Sequence, residues 1–169
     1  MKKIILLLLL IPVFSFGQVV NTFPWANNFE GNIPLDQDQN DDGDWLLNQG
    51  PTSSFNTGPT GDHTTGSGTY FYVEASHPNY PNKQFISYTP TFDVSATPGK
   101  VLSFWYHMFG PEMGELEIAA IDVMGNYIFI GAYDGDQGMP WHFAYYPLDS
   151  LANFIITLAR FISGSATNE

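Results

Sequence analysis

Between residues 101 and 123 two runs, "VLSFWYHMF" (101–109) and "ELEIAAIDV" (115–123), flank the break "GPEMG". Successive side chains of a strand point to opposite faces. The first run therefore places Leu102, Phe104, Tyr106 and Met108 on one side, and Ser103, Trp105, His107 and Phe109 on the other. In the second run Glu115 and Glu117 share a face opposite Leu116 and Ile118. The pattern predicts a hairpin with one buried face. His107, Glu112, Glu115 and Glu117 are close in sequence, but the alternation turns the glutamates outward, as a solvated strand face requires. Further aromatic or β-branched runs are "TYFYVEA" (69–75), "QFISY" (84–88), "YIFIGAY" (127–133), "WHFAYY" (141–146) and "FIITLARFI" (154–162). Breaks such as "TPGK", "MGN" and "DGDQGMP" separate them. No stretch sustains a helical period. This spacing of strands and turns predicts an all-β chain, an antiparallel β-sandwich of jelly-roll type.

The stretch 27–67 is polar and rich in Gly, Pro and Asp, so it is expected to form a long loop that carries function or irregular packing. Ahead of it, "MKKIILLLLLIPVFSFGQ" joins two lysines, an apolar run and small residues. That order predicts a secretory signal peptide at 1–17. The run is short for a bilayer span and no second one follows, so no transmembrane span is expected after cleavage. Residues 18–169 suit one domain with a core of its own. The chain has no cysteine. A disulfide framework and cysteine-ligated zinc or iron–sulfur sites are therefore excluded. Without Lys2 and Lys3, only Lys83, Lys100 and Arg160 stand against 17 acidic residues. Such a surface repels nucleic acid and anionic membranes and attracts divalent cations.

That balance directs attention to "DQDQNDDGDW" (36–45). Asp38, Asn40 and Asp42 alternate before Gly43, as oxygen ligands do in the first half of a calcium loop. The complete helix–loop–helix motif fails, because Gln49 occupies the position where a glutamate is needed. Calcium at Asp38, Asn40 and Asp42 is one expectation; a solvated acidic loop is the other. "GPTGDHTTGSG" (58–68) holds Asp62, His63, Thr64 and Ser67, the residue types of a catalytic triad. Triads are assembled from distant segments, whereas Asp and Thr in glycine-rich runs fix turns, so a turn is expected here. His63, His77, His107 and His142 show no metal-ligand spacing. No phosphate-binding glycine loop is present. Trp25, Trp45, Trp105 and Trp141 are candidates for a sugar-stacking platform, although core packing is the expectation for Trp105 and Trp141.

The segment "LSFWYHMFGPEMGELEI" also resembles the signature of the MAM domain, an extracellular module of meprins, neuropilins and receptor tyrosine phosphatases. "NNFEG" (27–31), "DWLLNQGPTSSFNTGPTGDHTTGSGTYFYVEAS" (44–76) and "GDQGMPWHFAYYPL" (135–148) extend the similarity in order over 29–164. The resemblance implies a secreted, non-catalytic recognition or adhesion module that contacts another extracellular protein or itself. It also implies a second cation arrangement, at Glu30 and Asp62, whose positions match the family's Phe-Glu and Asp-His-Thr elements. The paired cysteines of animal members are absent, which suggests a bacterial-type member. The family's closing Gly-Asp-Ile-Ala strand is missing after "FISGSATNE", so a C-terminally truncated domain lacking its final strand is expected. Two other readings stay open: an N-terminal accessory module of a larger secreted peptidase or glycan hydrolase, and a lectin-like carbohydrate binder.

Overall fold

A computed structural model describes residues 19–31, 35–79, 81–122, 124–149, 151, 154–155 and 160–162, the last two segments as backbone only. The expected signal peptide at 1–17 and the C-terminal residues 163–169 lie outside the described residues. All regular structure among the described residues is β. The strands are β1 (Val19–Val20), β2 (Asp36–Gln37), β3 (Leu46–Gln49), β4 (Thr69–Tyr72), β5 (Gln84–Tyr88) and β6 (Thr91–Phe92). They continue with β7 (Val101–Tyr106), β8 (Glu115–Asp122), β9 (Tyr127–Asp134), β10 (His142–Pro147), β11 (Phe154–Ile155) and β12 (Arg160–Ile162).

Each expected run contains a strand among its described residues, β5 with the bounds the sequence suggests. The region 27–67 departs from expectation, because it contributes β2 and β3. These strands are too short for a periodic signal, and each exists because a partner elsewhere completes its hydrogen bonds. β2 pairs with β5, and β3 with β4.

The main sheet runs β9–β8–β12–β5–β2, with β11 lying beside β8 ahead of β12. Every pairing in it is antiparallel. Across the core lie the antiparallel pairs β7–β10 and β3–β4, and a two-residue parallel pair, β1–β6. The alternation of the sequence decides which faces meet. Tyr106 and Met108 point inward from the β7 side onto Phe85, Leu116 and Ile118 of the main sheet. Ile118 is 0% exposed. A second cluster joins Val20, Phe92, Val94, Ala120 and Leu148. Leu102, Ile130 and Tyr146 pack against both clusters and tie them into one interior.

Tyr146 comes from the β10 layer and packs against the bare backbone of β9. A Cβ on Gly131 would stand 2.5 Å from its Cε1 and 2.7 Å from its hydroxyl oxygen. The register beside this glycine shifts: Ile118 faces Gly131 but Ala119 faces Phe129, leaving Ile130 as the extra residue of a bulge. Tyr133, on the other side, stacks on Tyr106 with ring centres 4.0 Å apart. The ring atoms facing residue 131 cannot swing aside as the end of a flexible side chain would. Gly131→Ala is expected to lower unfolding free energy by about 1–3 kcal/mol, the usual cost of an overpacked core. Urea unfolding followed by tryptophan fluorescence measures it, and an unchanged midpoint would show that the two layers separate freely.

Candidate functional site

Since the even positions of β7 fill the core, its odd positions face solvent beside those of β10. Trp105 stands opposite Phe143, Ser103 opposite Tyr145, and Val101 opposite Pro147. Trp105, Phe143 and Tyr145 are 45%, 53% and 57% exposed. The expectation of core packing for Trp105 is therefore corrected. The inward space is taken by Phe104 and Tyr106, and the indole lies on the outer face. It is fixed there by His63, stacked at 3.6 Å and 13°, and by Phe143 at 5.1 Å. Trp141 is half-buried, donating Nε1–H to the Gly61 carbonyl at 3.2 Å, with His63 and His107 edge-on to its ring.

Two loops meet at the end of this face. The Gly58 amide donates to the Phe109 carbonyl at 3.1 Å, and the Gln137 amide to that of Met108 at 2.7 Å. His107 Nε2 meets the Met139 carbonyl at 2.8 Å, and His142 Nε2 the Gln137 carbonyl at 2.9 Å. Burial holds the His107 imidazole below its ordinary range, the Met139 carbonyl opposing, and Nδ1 is buried without a partner. These histidines hold a loop. The loop at 50–58 is tied equally well. Tyr70 donates to Gly50 O at 2.7 Å, Thr52 Oγ1 to Thr57 O at 2.9 Å, and Ser53 and Ser54 donate to Glu74. Phe55 nevertheless stands 90% exposed at its tip, and Met139 is 69% exposed on the neighbouring loop. Sequence reasoning missed both residues. The available signal was a lone large apolar side chain inside each polar run, "PTSSFNTGP" and "DQGMPW".

The acidic loop closes on itself, because the Gln37 amide group both donates to Trp45 O and accepts from Trp45 N. Its acids face the outer edge of β5. Asp38 N donates to Ile86 O at 3.0 Å, and Asp42 N to Gln84 O at 2.9 Å. The Asp42 carboxylate accepts the Gln84 amide at 2.8 Å, and the Asp41 carboxylate accepts that of Ile86. Carboxylates thus stand where a neighbouring strand's carbonyls would. Asp38 accepts from the Tyr88 hydroxyl and from Asn40 N. The bond from Tyr88 is the main cause that lowers its pKa. Burial first, and Asp38 second, push the Tyr88 phenol up to about 12. Of the three expected ligands, Asp38 bonds to Ile86 and Tyr88 of β5, Asp42 to Gln84, and the Asn40 amide to the Asp38 carboxylate. Among the described residues no group of three or more His, Asp or Glu side chains is placed to hold a metal.

Glu30 and Asp62 do converge. A Cβ added at Gly68 would stand 2.5 Å from Glu30 Oε1 and 3.2 Å from Asp62 Cγ. Glu30 accepts from the amide and hydroxyl of Thr69. Asp62 accepts from the amides of Thr64, Thr65 and Gly68 and from the Thr65 hydroxyl. Led by the Thr65 amide, these donors hold Asp62 down to about 2. Asp62 therefore serves its turn, while the adjacent imidazole lies on Trp105.

The family model described as "MAM domain, meprin/A5/mu" matches residues 27–168. MAM domain-containing protein 2 of Mus musculus is 41% identical over 83 residues, covering 48% of this chain and 12% of that protein. MAM domain-containing glycosylphosphatidylinositol anchor protein 1 of Gallus gallus is 31% identical over 132 residues, covering 71% of this chain and 13% of that protein. Neuropilin-1a of Danio rerio is 36% identical over 99 residues, covering 57% and 10%. The chain thus spans a small fraction of the length of these relatives.

Asp41→Ala strips the half-buried Ile86 amide of its acceptor and is expected to cost about 1–2 kcal/mol. The loss of melting temperature should be the same in calcium and in chelator. A loss confined to calcium-containing buffer would instead place a cation in the 38–42 loop.

Proposed function

Because the chain belongs to the MAM domain family, we propose that it works outside the cell as a non-catalytic recognition or adhesion module that contacts another protein. The observation that carries this reading is the loop end, where Phe55 and Met139 stand in water on loops held by named hydrogen bonds. An aromatic on a loop whose backbone is already held costs little backbone entropy to bury, which is what a binding anchor requires. Thr52, Thr57 and Gly58 of the loop that carries Phe55 line a hollow together with Tyr72, Glu74, Glu112 and Met113. The predicted signal peptide supplies the route out of the cell, and the absence of cysteine suits a bacterial-type member.

A structural cation belongs to the same proposal. Glu30 and Asp62 are its candidate ligands: both carboxylates lie near Gly68, and Asp62 would give up hydrogen bonds of its own turn to bind. Bound there, calcium would neutralise the pair and join the segment before β2 to the start of β4. Wild-type protein is expected to melt higher in calcium than in chelator, by an increment that grows with calcium concentration. Glu30→Gln should abolish that increment. Equal melting of the wild type in both buffers would remove the cation.

For the contact itself, beads coated with the chain should adhere to cells. Phe55→Asp together with Met139→Asp should reduce adhesion at least tenfold, while the melting temperature stays near wild type, because both side chains are exposed. Undiminished adhesion by the double variant would move the contact elsewhere on the surface.

A further inference from the structure

Six residues on the outer face of β7–β10 form three rungs: Trp105 with Phe143, Ser103 with Tyr145, and Val101 with Pro147. All six are exposed and none carries a charge. This is unusual on a chain with 17 acidic and five basic residues. The patch is also not uniformly apolar. Among the described residues neither the Ser103 nor the Tyr145 hydroxyl makes a hydrogen bond, and both sit on the rung next to Trp105 and Phe143. Ring faces next to free hydroxyls complement a molecule that itself alternates C–H faces with hydroxyl groups, and a pyranose does so.

We propose that this face binds a neutral glycan. The exposed rings and hydroxyls favour that occupant, and charge removes the acidic alternatives. A second copy of the chain would bring two strongly acidic surfaces together, and an anionic lipid surface or a sulfated or sialylated glycan would meet the same repulsion. A neutral polysaccharide is indifferent to that field. The platform is set in advance. Trp105 is held by the stacked His63 and by Phe143, and both strands are fixed from behind by Phe104, Tyr106 and Tyr146 in the core. Rigid aromatics give contact area at low entropic cost. The site is separate from the loop-end contact, so either can fail without the other.

A glycan array carrying neutral and acidic oligosaccharides, followed by calorimetric titration of the best binder, tests the assignment. At least one neutral glycan should be retained with an affinity insensitive to salt. Phe143→Ala and Tyr145→Ala, both at exposed positions, should each weaken it at least tenfold with circular dichroism unchanged. Phe55→Asp should leave it unchanged. The proposal is overturned if no neutral glycan is retained, or if only sulfated or sialylated glycans bind. Binding that survives both aromatic substitutions overturns it as well. So does loss of protein adhesion in those two variants with a blank array, which would make the face a protein contact.

Discussion

The two layers are set against each other by one close contact, the Tyr146 ring on the backbone of Gly131. Tyr146 packs against both hydrophobic clusters, so its position fixes how β10 lies over β9 and hence how far β7 stands from the main sheet. No disulfide can share that task in a chain without cysteine. The bulge at Ile130 and the missing side chain at residue 131 are the local provisions that allow the approach. Whatever the outer face of β7–β10 presents is presented at this depth and angle because its inward side is seated there.

Much of this was legible in the sequence where burial has a period. The alternation in 101–109 and 115–123 identified the inward residues of β7 and β8, and the resemblance to the MAM family spanned the same chain as the family model. What escaped was long-range. β2 and β3 are short strands defined by partners up to about fifty positions away, and β1 and β6 by each other. The acidic run suggested a cation because ligand spacing is a local pattern. The acceptance of the Ile86 and Gln84 amides by Asp41 and Asp42 has no local signature at all. The Trp105 error has a different origin. The alternation had already put Trp105 on the face opposite Tyr106, and the general tendency of tryptophan to be buried was allowed to outweigh the period.

Two kinds of exposed apolar surface coexist on this protein, and they arise differently. On β7–β10 the sheet itself supplies a flat face, and strand geometry sets the spacing of the rings. At the loop end, hydroxyl and imidazole groups hold the backbone, and single side chains project from it. The first suits an extended ligand lying along a plane; the second suits insertion into a partner's pocket. The two share supports, since His107 and His142 at the ends of β7 and β10 hold the loop that carries Met139.

The carboxylates along β5 have a consequence for how the chain meets other molecules. A sheet edge with open amides and carbonyls is a template on which a strand of another molecule can grow. On β5 the amides of Gln84 and Ile86 and their carbonyls are already engaged by Asp41, Asp42 and Asp38 of the same chain. An incoming strand would have to displace charged groups held by the loop closure at Gln37 and Trp45. On that side β5 itself is closed to strand addition, because β2 and the 38–42 loop already occupy its edge.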